Sequence, residues 1–250
     1  MSPRYRLPAG VVGPAALAAL TGGRRSFRAD ALACVAGLRP PLRVVGPAHI
    51  PEAGPRLIVV NHYAHPGFRA WWIALAVSAL VPADIHWIMT EAWTFPNRPG
   101  ARRALRPASR WLLRRLARVY AFTPMPPMPP EPGDVAARAV AVRRVLTLAR
   151  RTPRPLIGLA PEGRDFPGGV LGAPPPGVGR FMLQLAGLGL EVTPAAVYEA
   201  EGALCAAFGP RFRLAVDADQ AAESRDRAAS AQVMRAIAAL LPAALRGEFG

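Results

Sequence analysis

Leu57-Ile58-Val59-Val60-Asn61-His62-Tyr63-Ala64-His65-Pro66-Gly67-Phe68-Arg69 decides how the rest of the chain is read. Four aliphatic residues stop abruptly at Asn61-His62, a polar turn follows, and an uncharged run from Ala70 to Ala83 comes after it. A short, wholly apolar run before a helix-like segment reads as a buried strand. Open α/β sheets place their chemistry at the carboxyl ends of such strands. Two of the four histidines in the chain, His62 and His65, fall in this one turn.

Working outward, further strands are expected at Leu42–Gly46, Ile85–Met89, Arg118–Phe122, Pro155–Ala160, Leu190–Tyr198 and Ala203–Phe208, with a continuation through Arg211–Val216. Helices are expected at Pro14–Leu20, Phe27–Leu38, Pro66–Leu80, Val135–Arg151 with Asp134 as its cap, Arg180–Leu188 and Ser224–Leu245. A further helix, Ala101–Arg118, should be kinked or split at Pro107. Strands alternating with helices predict a single α/β domain, a mixed and mostly parallel sheet flanked by helices. Its expected extent is residues 41–216. Residues 1–40 form a helical segment that is a candidate membrane contact, and residues 217–250 a C-terminal helix packed on the domain. The proline-rich stretch from Pro124 to Pro132 reads as an extended, polyproline-like spacer.

The chain has 250 residues, 52% of them hydrophobic, so a full core is attainable and global disorder is excluded. Its formal net charge is +15, and all 31 basic residues are arginine. A GC-rich coding sequence accounts for arginine together with abundant alanine, glycine and proline. The functional alternative is attraction to anions such as phospholipid head groups, acidic carriers or nucleic acid. The absence of lysine excludes a Schiff-base lysine and a P-loop lysine. Cys34 and Cys205 sit in apolar surroundings without a CxxC or zinc spacing, which implies buried, reduced thiols and no metal.

The longest uncharged stretches, Ala70–Ala83 and Leu7–Gly23, fall short of the roughly 20 apolar residues of a spanning helix or are broken by Pro and Gly. Arg4 and Arg6 before an alanine-rich run faintly resemble a signal peptide, but a surface helix fits the weak hydrophobicity better. Arg102, Arg106, Arg110, Arg114 and Arg118 recur every four residues against an apolar stripe that includes Trp111. That pattern is a basic amphipathic helix, either a solvated face on a core-packing helix or a membrane-surface contact. No motif supports specific nucleic-acid binding.

Three strand ends carry unusual polar residues: Asn61-His62, Pro161-Glu162-Gly163-Arg164, and Val192-Thr193-Pro194. In this order and spacing the chain resembles the glycerolipid acyltransferase family, which includes the lysophosphatidic acid (1-acylglycerol-3-phosphate) acyltransferases. The resemblance covers about residues 40–215. Asn61-His62 matches that family's first motif, Ala160-Pro161-Glu162-Gly163-Arg164 its third, and Val192-Thr193-Pro194-Ala195 its fourth. Thr90-Glu91-Ala92-Trp93-Thr94-Phe95 is similar to the Glu-containing segment between the first and second motifs.

The resemblance implies a divergent acyltransferase with degenerate motifs. It would move a fatty acyl group from acyl-CoA or an acyl carrier protein to a (lyso)phospholipid or related hydroxyl, with no further cofactor. His62 would be the general base, with Asn61 beside it. Glu162, Gly163, Arg164, Arg69 and Pro194 would form the acceptor site, with Arg180 a further candidate for an anionic group. The implied location is the cytoplasmic face of an anionic membrane, as a peripheral protein. No particular oligomeric state is signalled.

The departures are specific. Gly67 stands where the family has the aspartate that orients the histidine, and Thr123-Pro124 stand where its second-motif arginine is expected. Arg164 follows Glu162 by two residues rather than three, with Asp165 in the family's arginine position. Losing an orienting carboxylate costs on the order of 10⁴ in rate in serine proteases. Asp165, Glu91, Asp84 and Glu162 are the candidate substitutes, and without one the site would be slow or inactive. The alternatives are therefore a catalytically impaired homologue that binds lipid or acyl thioester, or an unrelated anion- or nucleic-acid-binding α/β protein.

Overall fold

A computed structural model describes residues 3–93, 99–128 and 133–250, with backbone alone for 99–104. The chain runs α1 (Ala9–Thr21), α2 (Phe27–Ala36), β1 (Arg43–Val45), β2 (Arg56–Val60), α3 (Trp71–Leu80), β3 (His86–Thr90) and α4 (Pro99–Val119). It continues with β4 (Thr123–Met125), α5 (Asp134–Arg151), β5 (Leu156–Leu159), α6 (Val178–Ala186), β6 (Glu191–Ala200), β7 (Ala203–Phe208) and α7 (Ala222–Ala238). The seven strands form one sheet in the order β1-β7-β6-β2-β5-β3-β4. Every pairing is parallel except the β6–β7 hairpin. This is the mixed, mostly parallel α/β architecture expected from the sequence.

β2 is central because it is apolar on both faces, and its alternation divides the core in two. Ile58 and Val60 face one side, with Trp72, Ile73 and Ala76 of α3 and Ala31 and Cys34 of α2. Leu57 and Val59 face the other, with Val145 of α5, Met182 and Leu185 of α6, and Val233 and Ile237 of α7. The first and last segments of the chain thus both supply core residues. Cys34 and Cys205 are buried and unpaired.

Several elements differ from the sequence-based expectations. No strand spans Arg118–Phe122. Helical bonding persists to Tyr120, whose N–H donates to Leu116 at 3.0 Å, and Ala121 then turns the chain at φ 57° before β4 begins. α4 passes through Pro107 without being split. Gly133, at φ 91°, caps α5, and Asp134 is its first helical residue, where a carboxylate favours the helix dipole. α3 begins at Trp71 rather than Pro66, because residues 65–69 form a turn closed by Phe68 N–H to His65 O at 3.0 Å. Beyond β7, Gly209-Pro210 ends the strand, so Arg211–Val216 contributes only one bridge, Val192 with Phe212. α7 stops at Ala238, short of Pro242, which cannot continue a helix. Residues 129–132 of the polyproline spacer, Thr94 and Phe95, and the side chains of Arg102 and Arg103 lie outside the described residues.

Close packing in the sheet sets a strict size limit at Gly158, which is paired with Trp87. A Cβ there would lie 2.4–2.7 Å from atoms of the Trp87 ring, itself buried and hydrogen-bonded to Ser78 at 2.9 Å. Gly158→Ala is expected to destabilise the fold by about 1–3 kcal/mol through overpacking. Urea denaturation measures this, and an unchanged midpoint would show that the ring can move.

Candidate functional site at the carboxyl ends of β2, β5 and β6

Three adjacent parallel strands end on one edge of the sheet, and their registers decide which side chains meet. Val59 pairs with Leu159 on one side and Pro194 on the other, and Val60 pairs with Ala195. The segments after β2 and β5 therefore emerge side by side, while β6 continues five residues beyond Val60's partner.

Asn61 manages the end of β2. Its Oδ1 accepts the Val197 N–H at 2.8 Å and its Nδ2 donates to the Val197 carbonyl at 3.0 Å. The side-chain amide replaces the peptide that a further strand residue would offer, and Asn61 is only 1% exposed. Both functions are used, since aspartate could not donate and leucine could do neither.

Glu162 joins the two loops. Its Oε2 accepts the backbone N–H of His62 at 2.6 Å and its Oε1 that of Gly172 at 2.8 Å. The side chain is buried, and burial pushes its pKa up to about 7 against the opposing pull of those two N–H groups. Gly163 makes the adjoining turn at φ 65°, a conformation that suits glycine, and a Cβ there would lie 3.4 Å from Met128.

That turn delivers Asp165 to His62, with Nδ1 and Oδ1 3.0 Å apart. A carboxylate oxygen only accepts, so Nδ1 carries the hydrogen and the neutral ring keeps its lone pair on Nε2. The His62 side chain is 25% exposed and that of Asp165 57%.

Gly67 adopts φ 88°, and nothing lies within 4 Å of where a Cβ would stand. The turn is thus shaped for glycine rather than left with a carboxylate-sized fault.

The other named residues are placed as follows. Arg164 is exposed, stacks over Phe166 with Cζ 4.6 Å from the ring centroid, and has no ion pair among the described residues. Arg69 is likewise exposed. Pro194 is buried within β6 beside Val59 and accepts the Gly209 N–H at 3.0 Å, so it lies under the site rather than in it. Arg180 gives its backbone N–H to Asp226 at 2.7 Å.

Glu91 and Asp84 are not partners of His62. Glu91 is buried and held by Arg110 and Arg114 of α4, with Arg114 contacts of 2.9 and 3.0 Å. β3 is also two strands from β2, about 10 Å in a sheet. Asp84 precedes β3, at the opposite edge of the sheet, and accepts from Ser26 at 3.3 Å.

A cleft of about 340 Å³ opens beside the pair, between Tyr63–Pro66 with Phe68 and Ala70 on one wall and Asp165–Gly168 on the other. The sequence reading missed one residue beside the His65 turn. Glu199, near the end of β6, reaches His65 at 3.3 Å and accepts from Tyr5 at 2.5 Å. The signal was a carboxylate near the end of a strand that is apolar from Pro194 to Val197, but only the register shows that it lies beside the turn. Among the described residues, no group of three His, Cys, Asp or Glu side chains could hold a metal ion.

Fold and site together define an α/β protein with a histidine–carboxylate pair at the carboxyl edge of a mostly parallel sheet. No protein-family model matches the chain, and no curated protein matches it in sequence. Among solved structures it is similar to the 1-acyl-sn-glycerophosphate (LPA) acyltransferase PlsC from Thermotoga maritima. The TM-score is 0.43 at 14% identity, covering 81% of this chain and 72% of the other.

The buried carboxyl of Glu162 makes stability depend on pH in a definite direction. Its pKa is raised in the folded state, so the fold binds the proton more tightly than the unfolded chain. This contribution is complete below about 4.5 and is lost as pH rises through about 7. Glu162→Gln should remove that slope, while leaving one of the two N–H groups without its acceptor and lowering overall stability by about 1–3 kcal/mol. Denaturant titrations of both proteins between pH 4.5 and 8 measure the difference, and parallel curves would contradict it.

Proposed function

We propose that this protein is an acyltransferase. It moves an acyl group from a thioester of coenzyme A or a carrier protein to the hydroxyl of a lysophospholipid or a related lipid acceptor. The observation that carries this reading is the 3.0 Å contact between His62 Nδ1 and Asp165. It supplies, from another loop, the carboxylate that Gly67 leaves out.

His62 takes the hydroxyl proton on Nε2 as the oxygen attacks the thioester carbonyl. Asp165 holds the tautomer and stabilises the imidazolium that results. Asn61 and Glu162 position the His62 backbone without touching substrate. Arg164 and Arg69, both exposed, hold the anionic group of the acceptor.

Transfer from radiolabelled acyl-CoA to a panel of lysolipids and long-chain alcohols tests the reading. His62→Ala should reduce kcat/KM at least about 10²-fold. Asp165→Asn should reduce it by about 10-fold to 10³-fold, less than the loss for a buried triad aspartate because solvent reaches Asp165. Equal rates for wild type and His62→Ala would refute it.

The same reading places the protein on an anionic bilayer at the cytoplasmic face, as a peripheral protein. No helix among the described residues is long and apolar enough to cross a membrane. α1 and α4 pack side by side. α1 exposes Leu17 and Leu20, and α4 exposes Leu105 and Trp111, with Arg115 stacked over the Trp111 ring at 5.5 Å. Basic residues near an anionic surface contribute about 1 kcal/mol each, and a half-exposed tryptophan suits the head-group layer. Flotation should show binding to anionic liposomes that weakens with salt, and Trp111→Glu with Arg115→Glu should weaken it at least about 10-fold. Failure to float with anionic liposomes at low salt would rule the membrane contact out.

A further inference from the structure

His65 lies three residues beyond His62 and lines the cleft that Asp165 also lines. Its Nδ1 is 3.1 Å from the Pro66 carbonyl oxygen and 3.3 Å from Glu199 Oε2. Both are acceptors, so Nδ1 carries a hydrogen in either charge state and Nε2 is where the ring gains or loses its proton. Nε2 has no hydrogen-bond partner among the described residues.

Glu199 is held more firmly than Asp165. Its side chain is 12% exposed against 57% for Asp165. Tyr5 donates to it at 2.5 Å and is itself packed on Phe68 and Trp72, with ring centroids 5.3 Å from each. The Tyr63 ring lies parallel to His65, 4° apart in plane and 6.3 Å in centroid. Burial, and then the Glu199 charge, holds the Tyr63 hydroxyl above its ordinary pKa. Around His65 are therefore Glu199 from β6, Tyr63 from its own turn, and Asp165 on the other wall of the cleft, with Tyr5 bonded to Glu199. Both tyrosines are held neutral, chiefly by burial.

The edge of the sheet thus holds two histidines with a carboxylate near Nδ1: His62 hydrogen-bonds Asp165, and His65 hydrogen-bonds the Pro66 carbonyl with Glu199 at ion-pair distance. A single base accounts for one of them. Acyl transfer from a thioester moves protons at two different atoms, since one leaves the acceptor oxygen and one reaches the departing sulfur. We propose that His65, as an imidazolium positioned by Glu199, is the acid that protonates the leaving thiolate, while His62 is the base. The inference rests on the acyl-transfer reading above.

The step balances without another reactant. The acceptor oxygen bonds to the carbonyl carbon and its proton passes to His62 Nε2. The C–S bond breaks with its electron pair going to sulfur, which takes the proton from His65 Nε2. His62 then releases a proton to water, and His65 regains one from it.

The test compares wild type, His65→Gln, Glu199→Gln and His62→Gln, as full chains, on two donors. One is an acyl-CoA, the other an acyl ester of a nitrothiophenol, whose thiolate leaves without a proton. With acyl-CoA, His65→Gln is expected to lower kcat on the order of 10²-fold with the acceptor KM unchanged. With the aryl thioester it returns to within a few-fold of wild type, which also shows that the variant is folded. Glu199→Gln follows the same pattern more weakly, and His62→Gln stays low on both donors.

An equal loss on both donors makes His65 structural and overturns the proposal, as does a full rate of His65→Gln with acyl-CoA. In either case His62-dependent transfer by the wild type leaves the acyl-transfer reading standing. No transfer by the wild type to any acceptor removes both.

Discussion

The buried carboxylate of Glu162 is the constraint on which the candidate site depends. It accepts one N–H from the loop after β2 and one from the chain that returns toward α6. A carboxylate can accept two such bonds at once, and no neutral side chain of its size offers two acceptor oxygens. Burial works against its charge, while the two N–H groups favour it, so it sits near neutrality in pKa rather than far above it. Through it, the turn that carries His62 and the turn that carries Asp165 hold a fixed separation. This matters for Asp165, whose side chain is 57% exposed.

Polar side chains at this edge also stand in for backbone. Asn61 completes the ladder between β2 and β6 with its amide, which frees the main chain to turn at His62 while no buried peptide group of Val197 goes unpaired. Arg110 and Arg114 do a similar service for Glu91 at the end of β3, where a buried charge would otherwise be uncompensated. The arginine-rich α4 is therefore two things at once. Part of its charge is spent on an internal carboxylate, and part, with Trp111, faces outward.

Much of the fold was legible in the chain because apolar runs of strand length and helical periodicity report burial directly. The four residues Leu57–Val60 show that both faces of β2 are covered. The errors arose where local signals compete. Arg118–Phe122 has strand-like residues, yet the hydrogen bonds of α4 extend into it. Asp134 is a good capping residue, but Gly133 reached the required geometry first. Pro107 removes one helical donor without ending α4.

The sequence by itself determined the central strand, its position before a His-containing turn, the glycine where an aspartate was expected, and a charge balance made wholly of arginine. Those follow from residue type and spacing within a dozen positions. Only the tertiary structure decided which carboxylate serves which histidine. Asp165 and Glu199 lie 103 and 134 residues from their partners, and four acidic candidates were equivalent on paper. Their assignment is set by parallel register, Val59 beside Leu159 and Pro194, because a shift of one residue would turn each side chain to the other face of the sheet.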